Sequence, residues 1–546
     1  MKLPATLIFL ALLTGSPRAE LRLPNVFGDH MVLQSGKPVA LWGWAAPGAK
    51  VKVAFGGQDK EMVAGEEGTW FLQLDPLKPS FEGAVLEVSD GAKTLRLEDI
   101  LVGEVWVCGG QSNMEWSLRG SRDADLEIDS ADAPAIRFLR VPKIASDVPR
   151  EDFPEGNPKG MEGRWRRAIP EEVENCTAVV YHFARRLQRR LKVPVGLIDT
   201  SWGGTMAQHW ASLETLRPIP EMKPYLEQFE EAVTQWKDGG GEEGARKRLA
   251  TDLEAWEKKK EEAEAKGERV PGRPNPGNYT DPRTKRQPAG MYHGVLLPIA
   301  RATVRGALFY QGENNSFAES WKPFPKTYPA VVADWRKAFG NPELPIGLIQ
   351  IAGWSNRRSM TYDMNHHTNI VREVQHRTWE ATEHTGLIVT FDTNSNGSIH
   401  PGRKQPVGER AARWALAEVY GVKGRGSQNP LEWRGPVFRE AAVEGEKIIV
   451  SFREGTARGL RLDQDVEVGF YLAGKDRQFH HARARVNKET VEVWCEAVPS
   501  PVAVRYAWSN LPMGGLMNAR ELPAYPFRND SWPLVPHQSK GEYRVE

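Results

Sequence analysis

Cysteine, long apolar runs and net charge are all scarce in this sequence. The three cysteines among its 546 residues, Cys108, Cys176 and Cys495, are too few for a disulfide framework and have no zinc-binding spacing, so we expect mostly buried thiols. No apolar run reaches the ~18 residues that a transmembrane helix needs. The formal charge of +1 argues against a nucleic-acid partner.

Residues 1–19 have the pattern of a secretory signal peptide. Lys2 precedes an apolar stretch from Leu7 to Leu13, and a short segment ending at Ala19 follows. The apolar stretch is too short to span a bilayer, so we expect no membrane span in the mature protein. The sequence therefore predicts a secreted or periplasmic protein.

Three patterns of predicted secondary structure divide the remaining chain. Short β-type runs broken by turns predict an N-terminal β-sandwich over residues 20–100. Residues 101–424 alternate strands and helices, which predicts an α/β domain with a parallel sheet between two helical layers. Residues 212–287 are highly charged and predict an inserted helical hairpin and a loop. Residues 425–546 return to β-type runs and predict a second β-rich domain.

Residues 104–118 are the best candidate for a functional segment. Their core, Gly110-Gln111-Ser112-Asn113-Met114, follows a short apolar run that is typical of a buried strand, and its glycines allow a sharp turn. The carboxyl ends of strands in an open α/β sheet hold the ligand crevice, so Ser112 is placed as a candidate nucleophile. Alternatively, Ser112 and Asn113 only cap the following helix.

Four blocks along the chain resemble those of the sialate O-acetylesterase family, within the SGNH-type serine hydrolases. The blocks are Gly110-Gln111-Ser112-Asn113-Met114, Ser201-Trp202-Gly203-Gly204-Thr205, Tyr310-Gln311-Gly312-Glu313-Asn314-Asn315 and Ile399-His400-Pro401, with Pro288-Ala289-Gly290-Met291-Tyr292-His293-Gly294 as a lead-in to the third. The resemblance covers most of residues 20–535. It implies a flavodoxin-like three-layer parallel sheet flanked by β-sandwich domains, and a serine esterase that acts on acetyl esters.

A serine hydroxyl is a weak nucleophile without a general base, and histidine suits that role at neutral pH. His400 is the best candidate, because its loop follows a predicted strand and should lie at the same edge of the sheet as Ser112. The developing oxyanion needs preplaced donors. The candidates are the N–H groups of Ser112 and of Gly203 or Gly204, and the amide of Asn315, with Asn314 as the fallback.

The carboxylate that would orient His400 is the open point. The resemblance places an Asp two or three residues before the histidine, but Ser398 and Gly397 occupy those positions. We favour Asp392, the nearest upstream carboxylate, as the third catalytic residue. Glu313, a backbone carbonyl or a Ser–His dyad without a carboxylate are the alternatives.

Substrate contacts are assigned to Gln111, Trp202 and Glu313, which belong to the blocks. The pair His366-His367 and His376 do not form a recognisable metal motif, so we predict no metal and no cofactor. The resemblance implies O-acetylated sialic acid as substrate. An acetylated plant or algal polysaccharide and a non-catalytic glycan-binding scaffold are the alternatives, and the oligomeric state stays open.

Overall fold

A computed structural model describes residues 20–156, 162–284, 286–354, 356–395, 397–463 and 468–534. The predicted signal peptide lies outside the described residues, as do residues 535–546 at the other end of the chain.

The strands of the described residues, in chain order, have the following bounds. They are β1 (Val32–Gln34), β2 (Val39–Trp44), β3 (Lys50–Phe55), β4 (Gln58–Val63), β5 (Thr69–Leu74), β6 (Ser80–Ser89), β7 (Thr94–Gly110), β8 (Ala133–Arg140), β9 (Trp165–Ala168), β10 (Val195–Asp199), β11 (Gly306–Tyr310), β12 (Ile346–Ile349), β13 (Thr385–Ile388), β14 (Phe438–Glu444), β15 (Lys447–Phe452), β16 (Arg461–Leu462), β17 (Phe470–Ala473), β18 (Phe479–His481), β19 (Arg483–Asn487), β20 (Thr490–Trp494), β21 (Ala503–Tyr506), β22 (Leu516–Met517) and β23 (Phe527–Arg528).

The α-helices of the described residues follow the same order. They are α1 (Ser112–Glu115), α2 (Ala124–Asp129), α3 (Pro170–Val173), α4 (Ala178–Leu191), α5 (Leu213–Leu216), α6 (Lys223–Asp238), α7 (Gly241–Lys266), α8 (Phe324–Ala338), α9 (Met360–Asn365), α10 (His367–Ala381) and α11 (Gln405–Trp414).

The central sheet has the strand order β13-β12-β11-β7-β10-β8-β9. All of its neighbouring pairs are parallel except β8 with β9 at the edge. Its inner strands are buried along their whole length, as parallel strands covered on both faces should be. The predicted α/β class is therefore confirmed, whereas the flavodoxin-like label stays a prediction.

Strand β7 joins the amino-terminal β-region to the central sheet. It is 17 residues long, pairs antiparallel with β6 in its first part, and pairs with β10 and β11 in its second part. The predicted boundary between residues 100 and 101 therefore falls inside one continuous strand.

Antiparallel sheets flank this core on both sides in the sequence. Strands β2 and β5 pair near the amino terminus, and after residue 437 the chain forms the sheets β14-β15-β20-β19 and β18-β17-β21-β23. Within the predicted insertion, α6 and α7 are mostly exposed and carry opposite charges four residues apart, as in Arg246 with Glu242. No helix of the described residues is long and apolar enough to cross a membrane.

The register of the sheet brings the sequence blocks to one edge. Cys108 of β7 is level with Asp199, the last residue of β10, and Gly110 is level with Tyr310, the last residue of β11. The chain therefore leaves these three strands on the same side. Gly110 has φ 125° and a Cβ there would lie 2.1 Å from the Tyr310 carbonyl oxygen, so only glycine allows this close approach.

Candidate active site

Ser112 and His400 meet at this edge of the sheet. The Oγ atom of Ser112 lies 2.8 Å from Nε2 of His400, although 288 positions separate the two residues in the chain. The His400 ring stacks on Trp116, with ring centroids 4.9 Å apart and planes inclined by 25°. The predicted pair of nucleophile and base is thus within hydrogen-bond distance, and an aromatic face supports the base.

The glycine block lies directly against the serine. A Cβ added to Gly203 would be 3.3 Å from the Ser112 Cβ, so a side chain there would crowd the nucleophile. The Gly203 N–H donates to Oε2 of Glu115 at 2.6 Å, and Glu115 also pairs with Lys143. Gly203 therefore has an acceptor already. Among the described residues, the N–H groups of Ser112 and Gly204 are the predicted backbone donors that bond to no protein acceptor.

Asn315 lies beneath this loop and is fully buried. Its Oδ1 accepts the Ala207 N–H at 2.9 Å, and its Nδ2 donates to Oε1 of Gln208 at 3.1 Å. Both ends of the amide are therefore bound to the segment that follows the glycine block. This arrangement differs from the predicted one, in which the Asn315 amide donates to the oxyanion, because here the side chain anchors the loop. The fallback residue, Asn314, donates its Nδ2 to the Gly204 carbonyl oxygen at 2.8 Å.

Gln111 and Trp202 have different surroundings, although both are predicted substrate contacts. Gln111 is buried, and its Oε1 accepts from Nε2 of Gln311 at 2.6 Å and from the Asn314 N–H at 3.2 Å. It therefore ties the nucleophile block to the asparagine block and does not face a substrate. Trp202 is half-buried and donates its backbone N–H to the Gly110 carbonyl oxygen.

Glu313, the third predicted substrate contact, is buried as well. Its Oε1 accepts from Nδ2 of Asn113 at 2.5 Å, and its Oε2 has no hydrogen-bond partner among the described residues. Burial raises the pKa of Glu313 to about 7. Because the side chain is enclosed, it can act on a substrate only through its neighbours.

Those neighbours include Lys404, which the sequence reasoning missed. Lys404 is 2% exposed and donates to Oδ1 of Asn113, whose Nδ2 also donates to the carbonyl oxygen of Ile399 at 3.0 Å. The side-chain amide of Asn113, the residue after Ser112, therefore connects the nucleophile block with Ile399, the residue before His400. Burial lowers the pKa of Lys404 to about 7, and the charge of Glu313 opposes that shift.

One signal in the sequence could have identified Lys404. It occupies the N-cap position of α11, and a cation at a helix amino terminus opposes the helix dipole. A lysine in this unfavourable place indicates a role outside the helix.

Asp392 does not contact His400, which corrects the favoured assignment of the third catalytic residue. Its two carboxylate oxygens accept from Arg410 at 2.7 and 2.6 Å. Arg410 lies on α11, which packs against β13 just before Asp392, so the helix delivers its own partner to the carboxylate. Among the described residues, no hydrogen bond is made by Nδ1 of His400.

The electrostatics around His400 follow from this arrangement. Burial lowers the pKa of His400, and the positive charge of Lys404 lowers it further. A triad aspartate would have the opposite effect, because it stabilises the imidazolium. The His400 imidazole is therefore neutral over a wider range of acidic pH than an ordinary histidine.

Comparisons with known proteins agree with the blocks. Residues 288–415 match the family model described as carbohydrate esterase, sialic acid-specific acetylesterase. The mouse sialate O-acetylesterase is 26% identical over 93% of each chain, and the human one is 27% identical over 90% of this chain and 88% of its own.

A solved structure is similar over the same length. The crystal structure of a carbohydrate acetylesterase from Xanthomonas citri has a TM-score of 0.74 and 28% identity, and the match covers 94% of this chain and 100% of that one. The resemblance seen in the sequence is therefore confirmed: the chain is related to the sialate O-acetylesterases over nearly its whole length, and it is a carboxylic ester hydrolase.

Proposed function

We propose that the protein is an exported esterase that removes O-acetyl groups from a glycan through an acetyl-enzyme on Ser112. The observation that carries the proposal is the 2.8 Å contact between Ser112 Oγ and His400 Nε2 at the strand edge. It is the geometry of a nucleophile and its general base.

In the first step, Ser112 Oγ attacks the acetyl carbonyl carbon while Nε2 of His400 takes the hydroxyl proton. The N–H groups of Ser112 and Gly204 are placed to bind the oxyanion. His400 then protonates the departing sugar oxygen. In the second step, His400 takes a proton from water, the water oxygen attacks the acetyl carbon, and Ser112 leaves with that proton as acetate is released.

A Ser–His dyad is the arrangement that the contacts support. Asp392 is bound to Arg410, so the ring of His400 is oriented by its stacking on Trp116, and its loop by the bond of the His400 backbone N–H to Ser398 Oγ at 3.0 Å. A carboxylate orients a catalytic histidine and stabilises its cation but does not transfer the proton, so a dyad can carry out each step.

Replacing the nucleophile tests this function. We expect Ser112→Ala to abolish acetate release from a generic acetyl ester, with an unchanged melting temperature, because only a half-buried hydroxyl is lost. Ser121→Ala is the matched control, since among the described residues its hydroxyl bonds only to the Leu118 carbonyl oxygen, and it should keep full activity. Full activity in Ser112→Ala would refute the assignment.

The relatives named sialate O-acetylesterase favour O-acetylated sialic acid as the substrate, and the similar structure named a carbohydrate acetylesterase leaves another acetylated carbohydrate, such as a polysaccharide, as the second candidate. Acetate release should be compared between O-acetylated sialic acid and acetylated plant and algal polysaccharides. Binding of a glycan without any acetate release would instead support a non-catalytic scaffold.

A further inference from the structure

Aromatic rings follow one another along the edge of the sheet that holds Ser112, on residues that the esterase mechanism does not use. The rings of Phe317 and Trp354 have centroids 4.7 Å apart and planes inclined by 43°. Trp354 is followed by His366 at 6.4 Å and by His367 at a further 6.1 Å. His367 then stacks on Trp321, with centroids 5.1 Å apart. We call these five rings the aromatic row.

The order of the sheet places the aromatic row beside Ser112. Ser112 follows β7, Phe317 follows the neighbouring strand β11, and Trp354 follows β12, the next strand along. These three strands are parallel, so the chain leaves each of them at the same edge. Because adjacent strands lie about 4.8 Å apart, the ends of β7 and β12 are separated by about 10 Å. The row is therefore within reach of a substrate that is held at Ser112 and extends beyond one sugar.

Phe317 is anchored to the crevice through its backbone, while its ring faces solvent. It lies three residues after Asn314, whose side chain donates to the Gly204 carbonyl oxygen, so at most about 11 Å of chain separates it from that contact. The Ser320 N–H donates to the Phe317 carbonyl oxygen at 3.0 Å and closes a turn. The Phe317 side chain is nevertheless 41% exposed. An exposed ring that continues a row of other rings beside a crevice indicates a ligand contact.

The other side of Ser112 has a different surface. There, toward β10 and β8, Glu115 pairs with Lys143 beside Gly203. Sugar rings have apolar C–H faces and polar hydroxyl edges, so an aromatic ring can cover the face while the hydroxyls stay in water. An ion pair gives no such apolar contact, because covering it removes its charges from water. Sugars that extend beyond the acetylated unit are therefore better bound on the aromatic row.

From this placement we propose that the aromatic row is a subsite for a glycan chain, which binds the sugar units next to the one that carries the acetyl group. The inference rests on the proposed function. It extends that function by naming an acetylated oligosaccharide or polysaccharide, and not a free monosaccharide, as the substrate class. Phe317 is the residue of the row that we expect to determine this preference, because it is the most exposed to solvent.

Acetate release from matched short and long substrates tests the subsite. One pair is O-acetylated sialic acid, free and as the terminal sugar of a hexasaccharide, and the other is acetylated xylose with acetylated xylohexaose. In at least one pair, kcat/KM of the wild type per acetyl group should be about tenfold or more higher for the long member, because each stacked ring contributes roughly three- to tenfold.

Two other outcomes separate the subsite from the proposed function. Equal kcat/KM for the short and long members of both pairs would overturn the subsite and leave the proposed function standing. Acetate release from p-nitrophenyl acetate but from none of the saccharides would overturn both.

Substitution of Phe317 locates the preference. In Phe317→Ala, the ratio of kcat/KM for the long member to kcat/KM for the short member should fall about three- to tenfold, whereas Phe317→Tyr keeps the ring and should keep the wild-type ratio. Phe81→Ala is the matched control, because the Phe81 side chain is 55% exposed on β6 of the amino-terminal β-region, and it should also keep the wild-type ratio. An unchanged ratio in Phe317→Ala would overturn the proposal.

Discussion

Removing the charge of Lys404 should move the acid limb of the pH–rate profile to higher pH. Lys404→Met keeps much of the side-chain length and loses the ammonium group. In the wild type, that charge lowers the pKa of His400, after the larger effect of burial. Without it the pKa of His400 rises, so a larger fraction of the base is protonated and inactive at acidic pH.

The structure bounds the size of this effect. The Lys404 Nζ lies 5.8 Å from the centroid of the Trp116 ring, and the His400 ring centroid lies 4.9 Å from the Trp116 ring, so the two groups are no more than about 11 Å apart. At an effective dielectric constant of ~20, two unit charges at that distance interact by about 1.5 kcal/mol. Because His400 is half-buried, solvent screening reduces this energy, which leaves a change of about three- to tenfold in the fraction of neutral imidazole on the acid limb.

The measurement is kcat/KM for a generic acetyl ester from pH 4 to pH 9. With each profile normalised to its own value at pH 8, kcat/KM of Lys404→Met below the midpoint of the acid limb should be about three- to tenfold lower than that of the wild type. Lys337→Met is the control, because Lys337 is 65% exposed and pairs with Glu214 on the surface, so its profile should match the wild type.

Other polar groups near the crevice must stay constant for the comparison to hold. Lys404 donates to Asn113, which in turn donates to Glu313, and the pairs Glu115 with Lys143 and Asp392 with Arg410 lie nearby. None of these contacts includes His400. An acid limb of Lys404→Met that coincides with the wild type, in a protein of normal melting temperature, would refute the electrostatic argument.

Two further substitutions test the corrected roles. Asp392→Asn should change kcat by less than about threefold. It should lower the free energy of unfolding by about 1 kcal/mol, because it weakens a partly exposed pair with Arg410. A severe loss of kcat would instead support Asp392 as the third catalytic residue. Asn315→Ala should lower both kcat and the free energy of unfolding, the latter by roughly 2 kcal/mol or more, because Ala207 and Gln208 lose buried partners. Loss of kcat with unchanged unfolding would instead support a direct oxyanion role.

The sequence predicts those features of the site that depend on strand ends. Short apolar runs indicate the buried strands β7, β10 and β11, and the turn residues after them must share one edge of a parallel sheet. The proximity of Ser112 and His400 follows from this rule and from the resemblance, and the structure has them in contact.

The assignments that the contacts do not support depend on partners distant in the chain. Asp392 is the nearest carboxylate before His400, but the orientation of α11 decides that Arg410 reaches it first. The amide of Asn315 could face the crevice or the segment that follows the glycine block. Only the path of that segment around Ala207 settles the direction. Spacing along the chain carries no information on either point.

The predicted domain boundary stays a prediction, and its position inside a strand has a different cause. Strand β7 continues through 17 residues, three times the usual strand length, so one run of β-type sequence serves two sheets. A boundary placed where the alternating pattern begins therefore cuts a strand that physically joins the two regions.

The surroundings of His400 can hold the proposed base without an adjacent carboxylate. Trp116 fixes the plane of the ring, and Asn113 ties the nucleophile loop to the backbone of the histidine loop, so the geometry does not need a bond at Nδ1. The nearby charge is positive, which makes His400 a weaker base but keeps it neutral in mild acid. A weaker base gives less driving force for taking the Ser112 proton, and its conjugate acid gives more for protonating the sugar oxygen. In the proposed mechanism the site therefore favours leaving-group departure over nucleophile activation, the opposite balance to that of a triad aspartate.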